Sequence, residues 1–399
     1  MQNIPKVIIK SGKDDAIFRF HPWVFSGAIK KIQGAVYDGQ IVHVYSNKDE
    51  YLGAGHYQES SISVRILAFS PEQPIEFDEM FFYEKLKSAY NLRLQTNLAD
   101  CETTNVYRLI HGEGDNLPGL IIDFYNYNIV VQCHSIGMHK NIINISEALK
   151  KLYGDSLISI YDKSRETLPS EYSNNNKTEG FLFGNSESVE VQEYGHKFFI
   201  DFINGQKTGF FIDQRENRNL LSKYAKNKSV LNTYCYSGGF SVYALKAGAS
   251  LVHSLDSSKK AMELTDKNVI LNFNSAENHK SIIADTMDYL EKPLTEYDVI
   301  ILDPPAFAKH VNVKHNAVQG YKRLNAKAIS QIKSGGFLFT FSCSQVVDLQ
   351  LFKSTVISAA ISARRKAKII HQLTQPADHP INAFHPEGSY LKGLVLYIE

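Results

Sequence analysis

Cysteine is scarce in this chain. There are four among 399 residues, Cys101, Cys133, Cys235 and Cys343, far apart and with no CxxC pair. That argues against a zinc knuckle or a disulfide framework; no metal site is expected, and a reducing, cytoplasmic setting is. Long hydrophobic runs are missing too. No apolar stretch approaches the ~20 residues needed to cross a bilayer, so no membrane partner is expected. The opening MQNIPKVIIKSGKDDA holds no apolar core of the secretory type. An excess of one charge is also absent, since 43 Lys and Arg meet 42 Asp and Glu for a formal net charge of +1. Any face for a polyanion must therefore come from local clusters. The candidates are Lys30-Lys31, Lys309-His310 with Lys314-His315, Lys322-Arg323 and Arg364-Arg365-Lys366; 364–368 reads as a solvated part of an amphipathic helix. No internal repeat at the ~20–50-residue periods of solenoids is seen, and no GxGxxG is present.

What is there is an ordinary globular composition, 43% hydrophobic and 21% charged, in a chain long enough for two or three domains. Residues 1–72 read as short strands, KVIIK, QIVHVYS, YLGAGHY and SISVRILAF, broken by turn signals at Gly34, Asp38-Gly39 and Asn47-Lys48-Asp49. Short strands at that spacing predict a small barrel, and Pro71 and Pro74 mark its boundary. A helix is predicted over 78–97, where Phe81, Phe82, Leu86, Ala89, Tyr90 and Leu94 recur at helical spacing. A strand pair in YRLIHGEGDNLPGLIIDFYNYNIVVQ, a helix near 138–152 and a polar mobile loop, SEYSNNNKTEG at 170–180, complete a small α+β domain over about 75–185. From about 210 strands and helices alternate, which predicts a parallel sheet wound on both faces.

Five places in that alternating half carry chemistry, each at a strand's carboxyl end, where open parallel sheets bind their ligands. In VLNTYCYSGGFSVYAL, 230–245, an apolar strand runs into a glycine turn and then a helix. Glycines let backbone approach a ligand closely, so Tyr236, Ser237, Gly238 and Gly239 are candidate cofactor contacts. Asp256 closes the next strand, where an acidic residue can accept hydrogen bonds from ribose hydroxyls; it can also cap the following helix. Asp285 closes the third in IIADTMDYL and can accept from an adenine amino group, or again cap a helix. Asp303-Pro304-Pro305-Ala306-Phe307 ends the apolar run Val299–Leu302. Two prolines fix the path of the loop, and its carboxylate can hold a planar base by its amino and ring nitrogens. Cys343 ends the strand FLFTF in Phe341-Ser342-Cys343-Ser344. A nearby helix N-terminus is expected to lower its thiol pKa and make it nucleophilic. Cys235, inside the first loop, is expected only to pack.

The ordered set YCYSGGF, LD, AD, DPPAF and FSCS resembles the class I S-adenosylmethionine (SAM)-dependent methyltransferases, and more closely the rRNA large-subunit methyltransferase I family. HPWVFSGAI at 21–29, GEGDNLPGLIID at 112–123, FFIDQRENR at 210–218, GYKRLN at 320–325 and PADHPINAFHPEGSYLKG at 376–393 extend the resemblance over nearly the whole chain. It implies an N-terminal PUA domain over 1–72, a central EEHEE α+β domain over 75–185 and a Rossmann-like methyltransferase domain over 186–399. It implies SAM as cofactor and a cytosine C5 of large-subunit (23S) rRNA as target. Cys343 then corresponds to the nucleophile that adds to cytosine C6, and Asp303 to the acidic residue that holds the base. Asp256 and Asp285 match the ribose and adenine contacts. Gln214 and Arg215, in the DQR segment, reach the methionine end, although Arg215 could equally brace its helix. One departure stands out. The commoner RNA cytosine methyltransferases carry a second cysteine just after the proline of this loop, and Ala306 stands there, so another group must serve product release.

Methylation of a base nitrogen such as guanine N7 is the competing enzymatic reading. Nitrogen has its own lone pair and needs no thiol, and related enzymes of that kind carry Asn where Cys343 stands. A nicotinamide oxidoreductase is disfavoured by the missing GxGxxG, and a non-catalytic PUA-type RNA-binding protein by the intact cofactor and nucleophile motifs. The oligomeric state is left open, a homodimer included.

Overall fold

A computed structural model describes residues 4–69, 75–308 and 310–399. Pro71, Pro74 and Lys309, named above, lie outside the described residues. The chain divides into two compact units. One comprises the described residues up to Val191 with Ile200–Phe210 and Ala377–Gly388; the other comprises Gln192–Phe199, Phe211–Pro376 and Ser389–Glu399.

The first unit contains a six-stranded sheet in the order Trp23–Phe25, Ile62–Phe69, Tyr51–Tyr57, Ile41–Tyr45, Lys6–Ile9, Ile29–Gln33. Alternation along Ile41–Tyr45 turns Val42 and Val44 inward, onto a core with Val7, Ile9, Val24, Leu52, Val64 and Ile66. A five-stranded sheet follows, Glu179–Phe183, Ser159–Lys163, Asn128–Cys133, Leu120–Tyr125, Val106–His111. Helices Glu79–Gln95 and Ile142–Tyr153 share its core through Phe82, Leu86, Ile145 and Leu149. Two expectations are corrected here. The strand pair over 106–132 is three strands, because Asn126 and Tyr127 both take positive φ (47° and 63°) and close a tight hairpin. The stretch 170–180 is not a loop throughout: Ser170–Asn175 is helical and Glu179 already begins a strand. Its asparagines bond back along it, Asn175 Nδ2 donating to the Glu171 carbonyl at 3.0 Å and Asn176 Nδ2 to that of Tyr172 at 2.9 Å.

His21, His385 and Glu387 of this unit lie close enough together to suggest metal ligands. His21 Nδ1, however, accepts the Trp23 amide at 3.2 Å, which leaves the ring proton on Nε2, 3.6 Å from Glu387. In that tautomer Nε2 carries the ring proton and Nδ1 is engaged, so His21 offers no lone pair to a metal.

The second unit is built on a seven-stranded sheet: His279–Ile283, Leu251–Asp256, Ser229–Thr233, Val299–Leu302, Gly336–Ser342, Lys392–Ile398, Ala367–Leu373. Numbered along the unit, the order is 3-2-1-4-5-7-6. Strands 1 to 5 are parallel, and Lys392–Ile398 runs antiparallel to both neighbours. The four residues Val299–Leu302 are fully buried, as a strand covered on both faces requires. Order reverses between strands 1 and 4, so the crevice outside their carboxyl ends is the natural ligand position. The Arg364-Arg365-Lys366 cluster is not on a helix. The helix Leu349–Ser362 ends before it, Arg364 takes φ 53°, and Ala367 starts the next strand. Arg365 is tied down, its Nε donating to the Glu399 carbonyl at 2.8 Å and its Nη1 to that of Ile332 at 3.0 Å.

Candidate active site

The loop after Ser229–Thr233 is the first wall. Tyr234, Tyr236 and Gly238 all take left-handed backbone (φ 53°, 47° and 75°), which folds the chain back before the helix Gly239–Lys246. A Cβ on Gly238 would sit 2.7 Å from Thr265 Cγ2, so both its φ and its packing demand glycine. The neighbouring helix Lys259–Phe273 pins the loop: Thr265 Oγ1 donates to the Tyr236 carbonyl at 2.9 Å and Asn268 Nδ2 to that of Ser237 at 2.8 Å. Asp256 joins the two strand ends. Its Oδ2 accepts the Tyr236 amide at 3.1 Å and its Oδ1 the Ser258 amide at 2.9 Å, while the carboxylate stays part-exposed with acceptor capacity to spare. Asp285 is exposed and caps the short helix Thr286–Tyr289 through the Asp288 amide at 3.1 Å.

The second wall lies at the ends of strands 4 and 5, whose Leu302 and Thr340 are register partners. Asp303 accepts a hydrogen bond from Gln214 Nε2 at 3.0 Å, and Gln214 is oriented by Asn217, which donates to its Oε1 at 2.6 Å. Burial, with the Asp213 charge added, pushes the Asp303 carboxyl up to about 7 despite the Gln214 bond. Arg215 is fully buried, its Nε 3.5 Å from Glu193 Oε2. Arg218 grips the same glutamate through both oxygens, at 2.9 and 2.8 Å, and Tyr243 donates to it at 3.0 Å.

Cys343 follows directly on strand 5. Its thiol is pushed up to about 11 by burial and by the Asp303 and Asp213 charges, with Lys392 acting the other way. The expected lowering is therefore corrected, because two carboxylates and desolvation outweigh one cation. Lys392 is itself buried, which drives its ammonium down to about 8, and its Nζ donates to the Ser344 and Tyr390 carbonyls at 2.7 and 2.6 Å. Cys235, by contrast, packs against Met262 and Thr265.

The structure thus brings Gln214 to Asp303, the Tyr236 amide to Asp256, and the Asp303 charge to Cys343. Reasoning from sequence passed over Glu193, Asp213, Tyr390 and Lys392. The last three stand in the quoted FFIDQRENR and SYLKG stretches, so the signal was present, but their roles depend on contacts made across the fold.

The surroundings suit SAM. A tight left-handed loop at the end of strand 1, an acidic residue with free acceptor capacity at strand 2 and a second at strand 3 match the nucleoside part of the cofactor. Sheet order and strand-end loops together are those of a Rossmann-like SAM-dependent methyltransferase. The family model for S-adenosylmethionine-dependent methyltransferases matches residues 107–381, and one for PUA-like domains matches 7–69. Ribosomal RNA large subunit methyltransferase I of Aliivibrio fischeri is 38% identical over 97% of this chain and 98% of its own length. The protein of that name from Escherichia coli O157:H7 is 35% identical over the same shares. The fold is shared with a Streptococcus mutans chain described as a SAM-dependent methyltransferase (TM-score 0.83, 23% identity, 99% of this chain and 100% of that one). It is shared as well with a methyltransferase solved in complex with SAH (TM-score 0.84, 23% identity, 99% and 100%). The chain belongs to the ribosomal RNA large subunit methyltransferase I family. No described helix is long and apolar enough to cross a membrane.

Proposed function

We propose that this protein methylates a cytosine at C5 in large-subunit (23S) rRNA, through a covalent adduct with Cys343. The carrying observation is a thiol and an acid, Cys343 and Asp303, at the carboxyl ends of neighbouring parallel strands, near enough that the Asp303 charge raises the thiol. Methylation of a nitrogen needs no such thiol. Cytosine C5 is a poor nucleophile until a thiolate adds at C6 and gives C5 enamine character. A carboxyl held near neutrality by burial, as Asp303 is, can donate to the cytosine ring nitrogen while accepting from its amino group. Donation there makes C6 more electrophilic. The cofactor contributes the methyl group as a sulfonium electrophile.

Tyr236, Ser237, Gly238, Gly239, Asp256 and Asp285 are proposed to hold SAM, with Gln214 and Asp303 at its methionine end. Arg215 is proposed to act there through the Glu193 ion pair, as a brace. Residues 1–72 are read as a PUA-like RNA-binding barrel, 75–185 as a central α+β domain and 186–399 as the methyltransferase domain. The target must be unstacked to reach the thiol, which favours single-stranded or flipped RNA.

The test is trapping. Large-subunit rRNA carrying 5-fluorocytosine should form a denaturant-stable complex with the protein, because fluorine cannot leave as a proton. If methyl transfer to that RNA goes to completion with no adduct, the covalent reading fails and base-nitrogen methylation becomes the better one.

A further inference from the structure

Loss of the C5 proton needs a base, and three ionisable groups stand close to Cys343. Lys392 is spent as a donor, both of its described hydrogen bonds running to carbonyl oxygens. Asp303 is held near neutrality and engaged by Gln214. Asp213 remains. It sits in the single turn Ile212–Gln214, immediately before the glutamine that reaches Asp303. Its Oδ2 accepts the Tyr390 hydroxyl at 2.8 Å. Tyr390 is fixed in turn, since its carbonyl accepts from Lys392, and Lys392 pairs in register with Ser342, next to Cys343. Asp213 Oδ1 is closed off from solvent and has no hydrogen-bond partner among the described residues. A buried carboxylate oxygen with nothing to accept from is uncommon, and this one belongs to a charge that both Cys343 and Asp303 feel.

We propose that Asp213 is the catalytic base that removes the C5 proton, a role that rests on the covalent reading above. After methylation C5 bears both the new methyl group and its original hydrogen, and C6 is bonded to Cys343 Sγ. Oδ1 takes the hydrogen as a proton. The C5–H electron pair forms the C5–C6 double bond, and the C6–S pair leaves on the Cys343 thiolate. Nothing is oxidised or reduced. The carboxylate becomes a carboxylic acid and later returns its proton to water, while Tyr390 holds Oδ2 throughout. This places in a carboxylate the release step that other cytosine methyltransferases assign to the cysteine replaced here by Ala306.

Asp213→Asn preserves shape and removes the base. The full-length variant, with methyl-labelled SAM and large-subunit rRNA from cells lacking the protein, should fall at least 100-fold in steady-state turnover. It should also accumulate a denaturant-stable adduct on ordinary cytosine, carrying one methyl per chain, which the unsubstituted protein does not. Tyr390→Phe should accumulate less of the same species. Both variants should be trapped by 5-fluorocytosine RNA as fully as the parent, since trapping precedes proton loss, and both should bind SAM with unchanged affinity. Turnover of Asp213→Asn at the parent rate overturns the proposal. So does a variant that binds SAM and is trapped by 5-fluorocytosine yet forms no adduct on ordinary RNA, and that result leaves the covalent reading standing. Failure of the parent protein to be trapped at all removes the covalent reading, and the role of Asp213 with it.

Discussion

Two strand-end loops of one sheet each carry a cysteine, and burial raises both thiols, Cys235 to about 12 and Cys343 to about 11. Burial therefore does not tell them apart; their neighbours do. Cys235 has a thioether and a hydroxyl at its sulfur, Met262 at 3.6 Å and Thr265 at 3.8 Å. Cys343 has two carboxylates raising its thiol and one ammonium lowering it. A hydrophobic thiol needs only space, whereas a thiol that must ionise and leave again needs groups whose charge can change during the reaction. Burial first, and the two carboxylates after it, outweigh the ammonium, so the Cys343 thiol rises above its ordinary value and rests protonated at neutral pH. Its ionisation must then be coupled to ligand binding, because a cationic sulfonium nearby and a neutral, base-bound Asp303 would both favour the thiolate.

The largest expected contrast comes from removing each sulfur. Cys343→Ala should abolish turnover, a loss of about 10³-fold or more as for other covalent nucleophiles, and with it 5-fluorocytosine trapping. Cys235→Ala should keep activity within a few-fold and cost about 1 kcal/mol of stability for a small cavity. Methylation assays on the two purified variants decide the matter, and equal losses would erase the distinction between the loops.

Next comes the cation. Lys392→Met keeps the length of the side chain and removes the charge that lowers Cys343. Methylation in a single turnover at pH 7 should fall about 10- to 100-fold, the equivalent of one or two pH units in thiol ionisation. Because burial drives the Lys392 ammonium down to about 8, its help disappears as pH rises through that value. The gap between the variant and the parent should therefore be widest below pH 8 and close above it. A gap that stays constant with pH would assign Lys392 a purely structural role, through the Ser344 and Tyr390 carbonyls.

The difference between the loops was only partly legible in the sequence. The alternating half announced itself because parallel strands buried on both faces read as apolar runs, and each run ended in a residue able to do chemistry. Cys343 and Asp303 could be picked out that way. What makes the Cys343 loop unlike the Cys235 loop could not. Asp213 reaches its partner Tyr390 across 177 positions and Lys392 reaches Ser344 across 48, and no periodicity encodes such contacts. The Glu193 anchor ends the strand Val189–Glu193, which carries no motif of its own. Local chemistry also misled in the Asn-rich stretch at 170–180, where polar composition suggested a loop and side-chain amides instead completed a helix end.

On the cofactor side, Asp256→Ala should weaken SAM binding by about 1–3 kcal/mol through lost hydrogen bonds and a loosened Tyr236 amide. Asp285→Ala should cost less, about 1 kcal/mol or under, because its carboxylate is exposed and its described bond is a helix cap. Neither should alter how completely 5-fluorocytosine RNA is trapped at saturating SAM. Calorimetric titration ranks the two, and an Asp285 effect larger than that of Asp256 would reverse which strand end dominates the nucleoside.

The remaining comparison probes the Asp303 charge without any substrate. The carboxyl rises to about 7 in the folded protein because burial and the Asp213 charge disfavour its anion, whereas in the unfolded chain it titrates near its ordinary value of 3.8. Between those two values the folded state binds the proton and the unfolded state does not, so folding stability must decline as pH rises from about 4 to about 7. Below that window the two states are equally protonated, and above it the full cost of the buried anion is present. Asp303→Asn keeps an oxygen for Gln214 to donate to and removes the anion. The variant should therefore match the parent near pH 4 and be more stable by about 1–2 kcal/mol at pH 8, well under the ~4 kcal/mol that three pH units would allow, because the site is part-exposed. Denaturant melts at the two pH values give the comparison directly. A stability difference that does not change with pH would mean the anion is not strained by burial, and the account of Cys343 as a thiol raised by its acidic neighbours would lose the larger of its two charges.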